Sequence, residues 1–329
     1  MSQKVFPVVY STLASGAIAS LVLDNYALGE IASCEFWHRG LCDIYIIQTP
    51  VGPYIFRVSH HHWRSRSDIV FELELLDFWR QQQLPVAYPI PTQDRQLWLE
   101  IDAPEGKRYG TLFPYAPGEI AIGDFNATQS LLLGKTLAQL HETSRKFQPT
   151  AHRQPLTLEY LLDASFEKIK PFLKHRPNDL AYLQKILAQS REKIDNLPQS
   201  EPFWVVCWGD PHSGNTHFTA DHQITLFDFD QCGYGWRMFD VAKFWHVSMR
   251  TGISRKVRDT FLEGYQAIAP LTEKELALLQ PLTQAAHFWS WSISIHSAIV
   301  HNWCLLDDSY FNRRLEQLKR ISSVDWQLF

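Results

Sequence analysis

No C-x-x-C pair occurs in the 329 residues, and the five cysteines, Cys34, Cys42, Cys207, Cys232 and Cys304, are an odd set. Neither a disulfide framework nor a zinc knuckle is suggested, and a reducing cytoplasm fits such a chain best. A basic excess is missing as well: the net charge of −4 leaves no electrostatic footprint for nucleic acid. Long apolar runs are scarce. The one that needs a reading is VFPVVYSTLASGAIASLVL (5–23), where Leu13, Ala14, Ala17, Ile18, Leu21 and Val22 recur on one helical face. It reads as a packed amphipathic helix capped by Ser11 or Thr12 rather than as an export signal. No other run is long enough to span a bilayer. What is present is 45% apolar and 20% charged residues, the balance of a globular protein with room for two lobes.

Strand signals crowd the first third. LCDIYIIQT (41–49) and GPYIFRVS (52–59) read as a hairpin, with LWLEI (97–101) and YGTLFPY (109–115) as further strands. Residues 67–83 read as one inserted helix capped by Ser67 or Asp68. His60, His61 and His62 cannot face one metal from a strand, since neighbours alternate sides, and read as a polar loop. After the breaker cluster PYAPGE (114–119) the character changes to long helices, over 126–144, 156–173, 178–196 and again toward the C-terminus. The expected fold is α+β: a strand-rich lobe over 1–113, a hinge at 114–118, and a helical lobe over 119–329. Such a pair of lobes makes a cleft of the kind that ligands favour.

The chemistry concentrates in WGDPHSGNTHFTADHQITLFDFD (208–230). FWVVCW (203–208) reads as a buried strand, and THFT and ITLF as two strands joined by ADHQ. A hairpin brings its ends together, with strands about 5 Å apart, so Asn215 should lie beside Asp228. An amide oxygen next to a carboxylate is a hard-oxygen pair suited to Mg2+, which keeps positions for water and phosphate oxygens. Phosphoryl transfer needs such a pair and a base that orients the attacking hydroxyl. Asp210 and Asn215 have the D-x-x-x-x-N spacing of a kinase catalytic loop, and Asp228-Phe229-Asp230 stands where a D-F-G segment would, without its Gly.

In this block the chain resembles the aminoglycoside phosphotransferase and choline kinase family, and is similar to its homoserine-kinase-like and stress-response-kinase-like members. The family pattern H-G-D-x-H-x-x-N reads here Trp208-Gly209-Asp210-Pro211-His212-Ser213-Gly214-Asn215. I-D-[FW]-[DE] reads Phe227-Asp228-Phe229-Asp230, and D-[LIV]-A reads Asp240-Val241-Ala242. The resemblance implies a bilobal kinase-like fold, ATP as donor, Mg2+ as cofactor and a small hydroxylated acceptor; the net charge and the run lengths give no part to nucleic acid or membrane. It implies Asp210 as catalytic base, His212 as loop support, Asn215 and Asp228 as metal ligands, and Asp230 toward a second metal or the substrate. Asp240 resembles a buried brace of the catalytic loop. In the strand lobe the resemblance implies Arg57 in the place of a nucleotide-contacting Lys, with Glu72 as its partner. Gly40 lies in the turn over the phosphates, and the Pro114 carbonyl and Ala116 N–H take the adenine. Trp208 departs from the pattern by replacing its first His.

Bland readings stand beside these. Arg57 and Glu72 also read as an ordinary surface pair. Trp289, Trp291 and Trp303 suggest an aromatic cage for a cation, but read more simply as core. A protein Ser/Thr kinase is the second enzyme reading, and the short stretch between Asp228 and Asp240 argues against a phosphosite loop. A non-catalytic nucleotide-binding pseudokinase is argued against by Asp210, Asn215 and Asp228. A metallophosphoesterase would need further motifs that are absent downstream of Gly209-Asp210.

Overall fold

The structure, a computed structural model, describes residues 6–121, 126–301 and 304–328. The chain divides into two compact units, Met1–Pro117 with Gln148–Arg153, and Gly118–Phe147 with Gln154–Phe329. Composition alone places 148–153 in the helical lobe. Hydrogen bonds explain why this segment groups with the first unit instead: Thr150 N donates to Glu74 Oε2 at 2.9 Å and Arg153 Nη1 to Asp68 O at 3.0 Å.

The first unit carries helix α1 (Ser15–Asn25) and strands β1 (Ser33–Arg39), β2 (Cys42–Thr49) and β3 (Gly52–Ser59). Helix α2 (Arg66–Gln81) and strands β4 (Leu99–Ala103) and β5 (Gly106–Pro114) complete it. The sheet is antiparallel in the order β1-β2-β3-β5-β4. Ile18 and Val22 of α1 pack with Tyr45, Ile47, Phe56, Val58 and Leu112. The α1 face was legible, but its cap was not: no side chain caps α1. The Ser11 hydroxyl donates to Glu105 and Arg39 donates to the Thr12 hydroxyl. Helix α2 is capped by Ser65 in a capping box with Asp68, not by Ser67 or Asp68. Strand β1 was missed because it is an edge strand, exposed over most of its length and bulged between Phe36 and His38, so it shows no alternation.

His60 is not part of a polar loop. It is buried, with Nε2 at 3.4 Å from Asp43 Oδ1. Arg108 Nη2 donates to Asp43 Oδ2 at 2.7 Å, and the Tyr10 hydroxyl also bonds Asp43. Burial pushes the Asp43 pKa up, but hydrogen bonds from His60, Tyr10 and Arg108 win and hold it well below the usual carboxylate range.

The second unit begins with strand β6 (Glu119–Ile120) and helix α3 (Ala127–Ser144), capped by Asn126 in a capping box with Gln129. A π-type turn at Glu159–Asp163 leads into α4 (Ala164–Ile169), and α5 (Pro177–Ile194) follows. Strands β7 (Trp204–Cys207), β8 (Thr216–Phe218), β9 (Ile224–Leu226) and β10 (Gly233–Trp236) come next. Helices α6 (Arg237–Thr251), α7 (Arg255–Gln266), α8 (Glu273–Ala277), α9 (Leu279–His301) and α10 (Asp308–Ile321) complete the unit. The strands form two small sheets, β10-β7 and β6-β8-β9. Helix α9 is buried on nearly every side over its first half, most of its polar groups included, and is the core helix, packing against α6, α4 and α5. Helices α3 and α7 approach until backbones touch. A Cβ on Gly134 would lie 2.0 Å from Phe261 O, and one on Gly264 would lie 2.2 Å from Leu131 O, so both positions require glycine.

Candidate active site

The catalytic-loop sequence leaves β7 at Cys207 and turns at Gly209, whose φ is +88°. A Cβ there would sit 2.1 Å from Gln231 O, so glycine alone lets the loop touch the segment that follows β9. Asp240 fixes the turn from below. Its Oδ2 accepts from Trp208 N at 2.6 Å and its Oδ1 from Gly209 N at 2.8 Å. His141 Nε2 donates to the same carboxylate at 2.9 Å, and the Tyr265 hydroxyl donates to His141 Nδ1 at 2.7 Å. These bonds fix the His141 tautomer. The sequence anticipated Asp240 as a brace but not His141, which reads as an ordinary polar residue in α3.

Trp208 stands where the family pattern has His. Its Nε1 donates to Asp228 O at 3.0 Å, and its ring stacks on Phe229 at 5.1 Å. The indole therefore ties the catalytic loop to the Asp228 segment. Asp228 itself has φ +58°, a left-handed conformation that Asp tolerates and most side chains do not.

The hairpin expected between Asn215 and Asp228 is present. Thr216 pairs with Leu226 and His217 with Thr225, and Phe227 N donates to Asn215 O at 3.0 Å. The two residues thus flank the same end of the β8–β9 hairpin. Asn215 is buried and Asp228 exposed. Asn215 Nδ2 donates to Asp210 O at 3.1 Å, which uses one of the amide's two N–H donors, turns its NH2 toward the loop and leaves Oδ1 as an acceptor. An amide oxygen and a carboxylate at one hairpin end fit a hard divalent cation. Asp230 is buried two residues further on.

Asp210 lies among three polar partners. Gln231 Nε2 donates to its Oδ2 at 2.9 Å, Lys243 Nζ lies 3.3 Å from Oδ1, and His212 Nε2 is 3.6 Å from Oδ2. Gly214 N donates to His212 Nδ1 at 2.9 Å, so Nε2 carries the proton that faces Asp210. His212 is thus both a loop cap and a neighbour of Asp210. Burial raises the Asp210 pKa, but Lys243 and then His212 pull it far below the usual carboxylate range. Burial lowers the Lys243 pKa, and Asp210 partly restores it.

Lys243 and Gln231 were missed by sequence reasoning. A signal for Lys243 existed: it follows Asp240 by three residues on a helix, which puts both on one face. Lys243 Nζ also donates to Ser290 Oγ at 2.7 Å and lies 5.1 Å from the centre of the Trp289 ring. Trp289 and Trp291 are buried core residues, and the cation over Trp289 is the protein's own. Trp303 lies outside the described residues. The His141, Cys207 and Asp240 atoms are close enough to hold a metal, but each residue is already engaged, Cys207 Sγ donating to Trp236 O at 3.3 Å.

In the first unit, Arg57 Nη1 donates to Glu72 Oε1 at 2.7 Å, with both side chains buried. This is no surface pair. Arg57 also lies 5.0 Å from the centre of the Phe113 ring. Gly40 lies in the β1–β2 turn, where its N donates to Cys42 O at 3.0 Å. Pro114 ends β5, paired with Tyr54, and Ala116 follows it.

The model of the phosphotransferase enzyme family matches residues 42–278. An uncharacterized protein of Synechocystis sp. is 53% identical over 98% of this chain and 90% of its own length. Amicoumacin kinase of Bacillus subtilis is 28% identical over 58% of this chain and 55% of its own. Among solved structures, an amicoumacin kinase in complex with AMP-PNP and Ca2+ has a TM-score of 0.76 at 19% identity, covering 93% of this chain and 92% of that one. A microcompartment-associated aminopropanol kinase has the same TM-score at 18% identity, covering 92% and 94%. At such identities the likeness is one of fold.

Proposed function

The chain belongs to the phosphotransferase enzyme family and has a kinase-like α+β fold, and from that premise we propose that it moves the γ-phosphate of ATP to a hydroxyl group of a small molecule, with Mg2+ as cofactor. The observation that carries this reading is the shared hairpin end of Asn215 and Asp228, next to Asp210 in the loop that Asp240 braces. A bound Mg2+ would neutralise phosphate charge and leave the γ-phosphorus open to attack. Asn215 Oδ1 and the Asp228 carboxylate would hold it, with Asp230 toward a second ion or the acceptor. The solved relative with AMP-PNP and Ca2+ supports a nucleoside triphosphate and a divalent cation here.

Asp210 orients the acceptor hydroxyl and takes its proton as the new oxygen–phosphorus bond forms. The bond from the γ-phosphorus to the bridging oxygen breaks, and ADP leaves with that electron pair. Held far below the usual carboxylate range, Asp210 stays ionised and ready to accept a hydrogen bond. Its role is more alignment than strong proton abstraction, which suits a loose transition state. His212 and Gln231 keep the carboxylate in place. In the first unit, Arg57, held by Glu72, is proposed to take a phosphate oxygen, as its fork permits. Gly40 is proposed beneath the phosphates, and the Pro114 carbonyl and Ala116 N–H at the adenine. The cytoplasm remains the proposed compartment; among the described residues no helix is long and apolar enough to cross a membrane.

Acceptor size has its own support. From Gly233 to Trp236 the chain is already paired with β7, and α6 begins at once at Arg237. No length is left for a peptide-binding platform between Asp228 and Asp240, which favours a small molecule over a protein.

Calorimetry and kinetics on two variants test the division of labour. Asp228→Ala should lose the Mg2+-dependent part of ATP affinity. Asp210→Asn should keep that affinity and lose about two to four orders of magnitude in turnover, the range for a lost general base. Equal ATP binding in EDTA and in Mg2+ would sink the metal assignment. Near-normal turnover of Asp210→Asn would remove Asp210 as the base.

A further inference from the structure

Positive charge near Asp210 exceeds what Asp210 neutralises. Lys243 and Arg250 lie about two turns apart on α6 and so share a face. Ser290 and Ser294, one turn apart on α9, each hold a cation. Ser290 Oγ accepts from Lys243 Nζ and Ser294 Oγ from Arg314 Nη2, both at 2.7 Å. The Ser294 hydroxyl in turn donates to Ser290 O at 2.9 Å. Arg314 is therefore anchored one helical turn along α9 from the lysine that pairs with Asp210.

The charge of Lys243 is spent on Asp210. Among the described residues, neither Arg250 nor Arg314 forms an ion pair with a carboxylate. Desolvation and then Arg314 pull the Arg250 pKa down while Asp210 acts the other way, so Arg250 lies within electrostatic reach of both. The groups packed between α6 and α9 offer no compensation. His246 and His287 are neutral, made so by burial first and then by their neighbours, the surrounding cations among them. Two guanidiniums that no carboxylate pairs with, Arg250 exposed to solvent and Arg314 anchored one turn along α9 from the lysine on Asp210, are a place for an anion. Their planar forks match a carboxylate or a phosphate group.

Resting on the phosphotransferase reading, we propose that the acceptor is an anionic hydroxyl compound whose carboxylate or phosphate group is held by Arg250 and Arg314 while its hydroxyl reaches Asp210. The anion anchors the acceptor, and the same geometry disfavours an acceptor whose group at that place is an amine. Both sources of negative charge share this chemistry, so the test separates them.

Calorimetry of the full chain with ADP and Mg2+ uses six probes. D-Glycerate and L-lactate carry carboxylates, glycerol 3-phosphate and ribose 5-phosphate carry phosphate esters, and glycerol and 1-amino-2-propanol serve as neutral and cationic counterparts. At least one anionic probe should bind about tenfold or more tightly than glycerol and 1-amino-2-propanol. The pair that binds identifies carboxylate or phosphate. Arg314→Gln and the less embedded Arg250→Gln should each weaken that binding about tenfold, with Arg314→Lys retaining part and Mg-ATP affinity unchanged in all three. The inference is overturned, and the phosphotransferase reading kept, if Mg-ATP binds normally but glycerol or the amine binds as well as every anion. It is overturned in the same way if both Gln variants leave anion affinity intact. Failure of the wild type to bind Mg-ATP would instead take down the phosphotransferase reading and this inference with it.

Discussion

Asp210 meets an ammonium, an imidazole and a carboxamide within 3.6 Å, and this crowding decides what the residue can do. A carboxylate in such company is stable only while its cation remains, because breaking a buried pair leaves an uncompensated charge. Lys243→Met is therefore expected to cost about 3–5 kcal/mol of stability in urea denaturation. Adding Asp210→Asn to it should restore most of that loss, since the charge that needed Lys243 is gone. A double variant no more stable than Lys243→Met alone would show that Lys243 matters through Ser290 and Trp289 instead. The placement of Asp210, Asn215 and Asp228 was legible because their spacing is fixed by chain geometry, a five-residue loop and a hairpin return, whereas Asp240 was legible only through the family pattern. His141 was not legible, because it reaches Asp240 from α3 by tertiary packing; Lys243 and Gln231 sit close to the motif residues in sequence, but only the folded loop turns their side chains onto Asp210. Trp208 was legible as a departure but not as a solution. Only its bond to Asp228 O shows how an indole links the two segments.

At the scale of elements, α6 and α9 meet through two imidazoles. His246 Nε2 donates to His287 Nδ1 at 3.2 Å, and His287 Nε2 donates to Arg314 O at 3.0 Å, so both rings are neutral and their tautomers set. Burial is the main cause that lowers both pKa values, with that of His287 down to about 3. In the unfolded chain each titrates near its usual value of about 6.5. Below that pH the unfolded state binds protons that the folded state refuses, so folding stability falls as pH drops from about 6.5 toward 3. Each imidazole contributes a slope of about 1.4 kcal/mol per pH unit within that window. His246→Leu should remove one imidazole's share of the slope in denaturation curves taken between pH 6.5 and 4.5. An unchanged slope would place the acid sensitivity elsewhere. Helix periodicity made most long elements visible, whereas β1 and the caps of α1 and α2 were decided by edge exposure and by single hydrogen bonds that a pattern does not encode.

For the whole molecule, the strand-rich and helical parts were legible from the change in character around PYAPGE, while the return of Gln148–Arg153 to the first unit was not, because it depends on the side chain of Glu74 and the backbone of Asp68. A consequence for regulation follows from how short the path is from Asp228 to α6. Protein kinases hold their catalytic elements in place through a phosphorylated activation segment, which here has no counterpart: residues 233–236 are a β-strand bonded to β7. The brace that replaces it is permanent, made by Asp240, His141 and Tyr265, all fully buried. The enzyme should therefore need no covalent activation. Protein treated with a broad-specificity phosphatase is expected to keep its full turnover of an identified acceptor. Incubation with labelled ATP and a generic protein substrate such as casein should leave both proteins unlabelled. A rise in activity after autophosphorylation, or stoichiometric label on casein, would show that a switch exists outside the 228–240 path and would return the protein-kinase reading to first place.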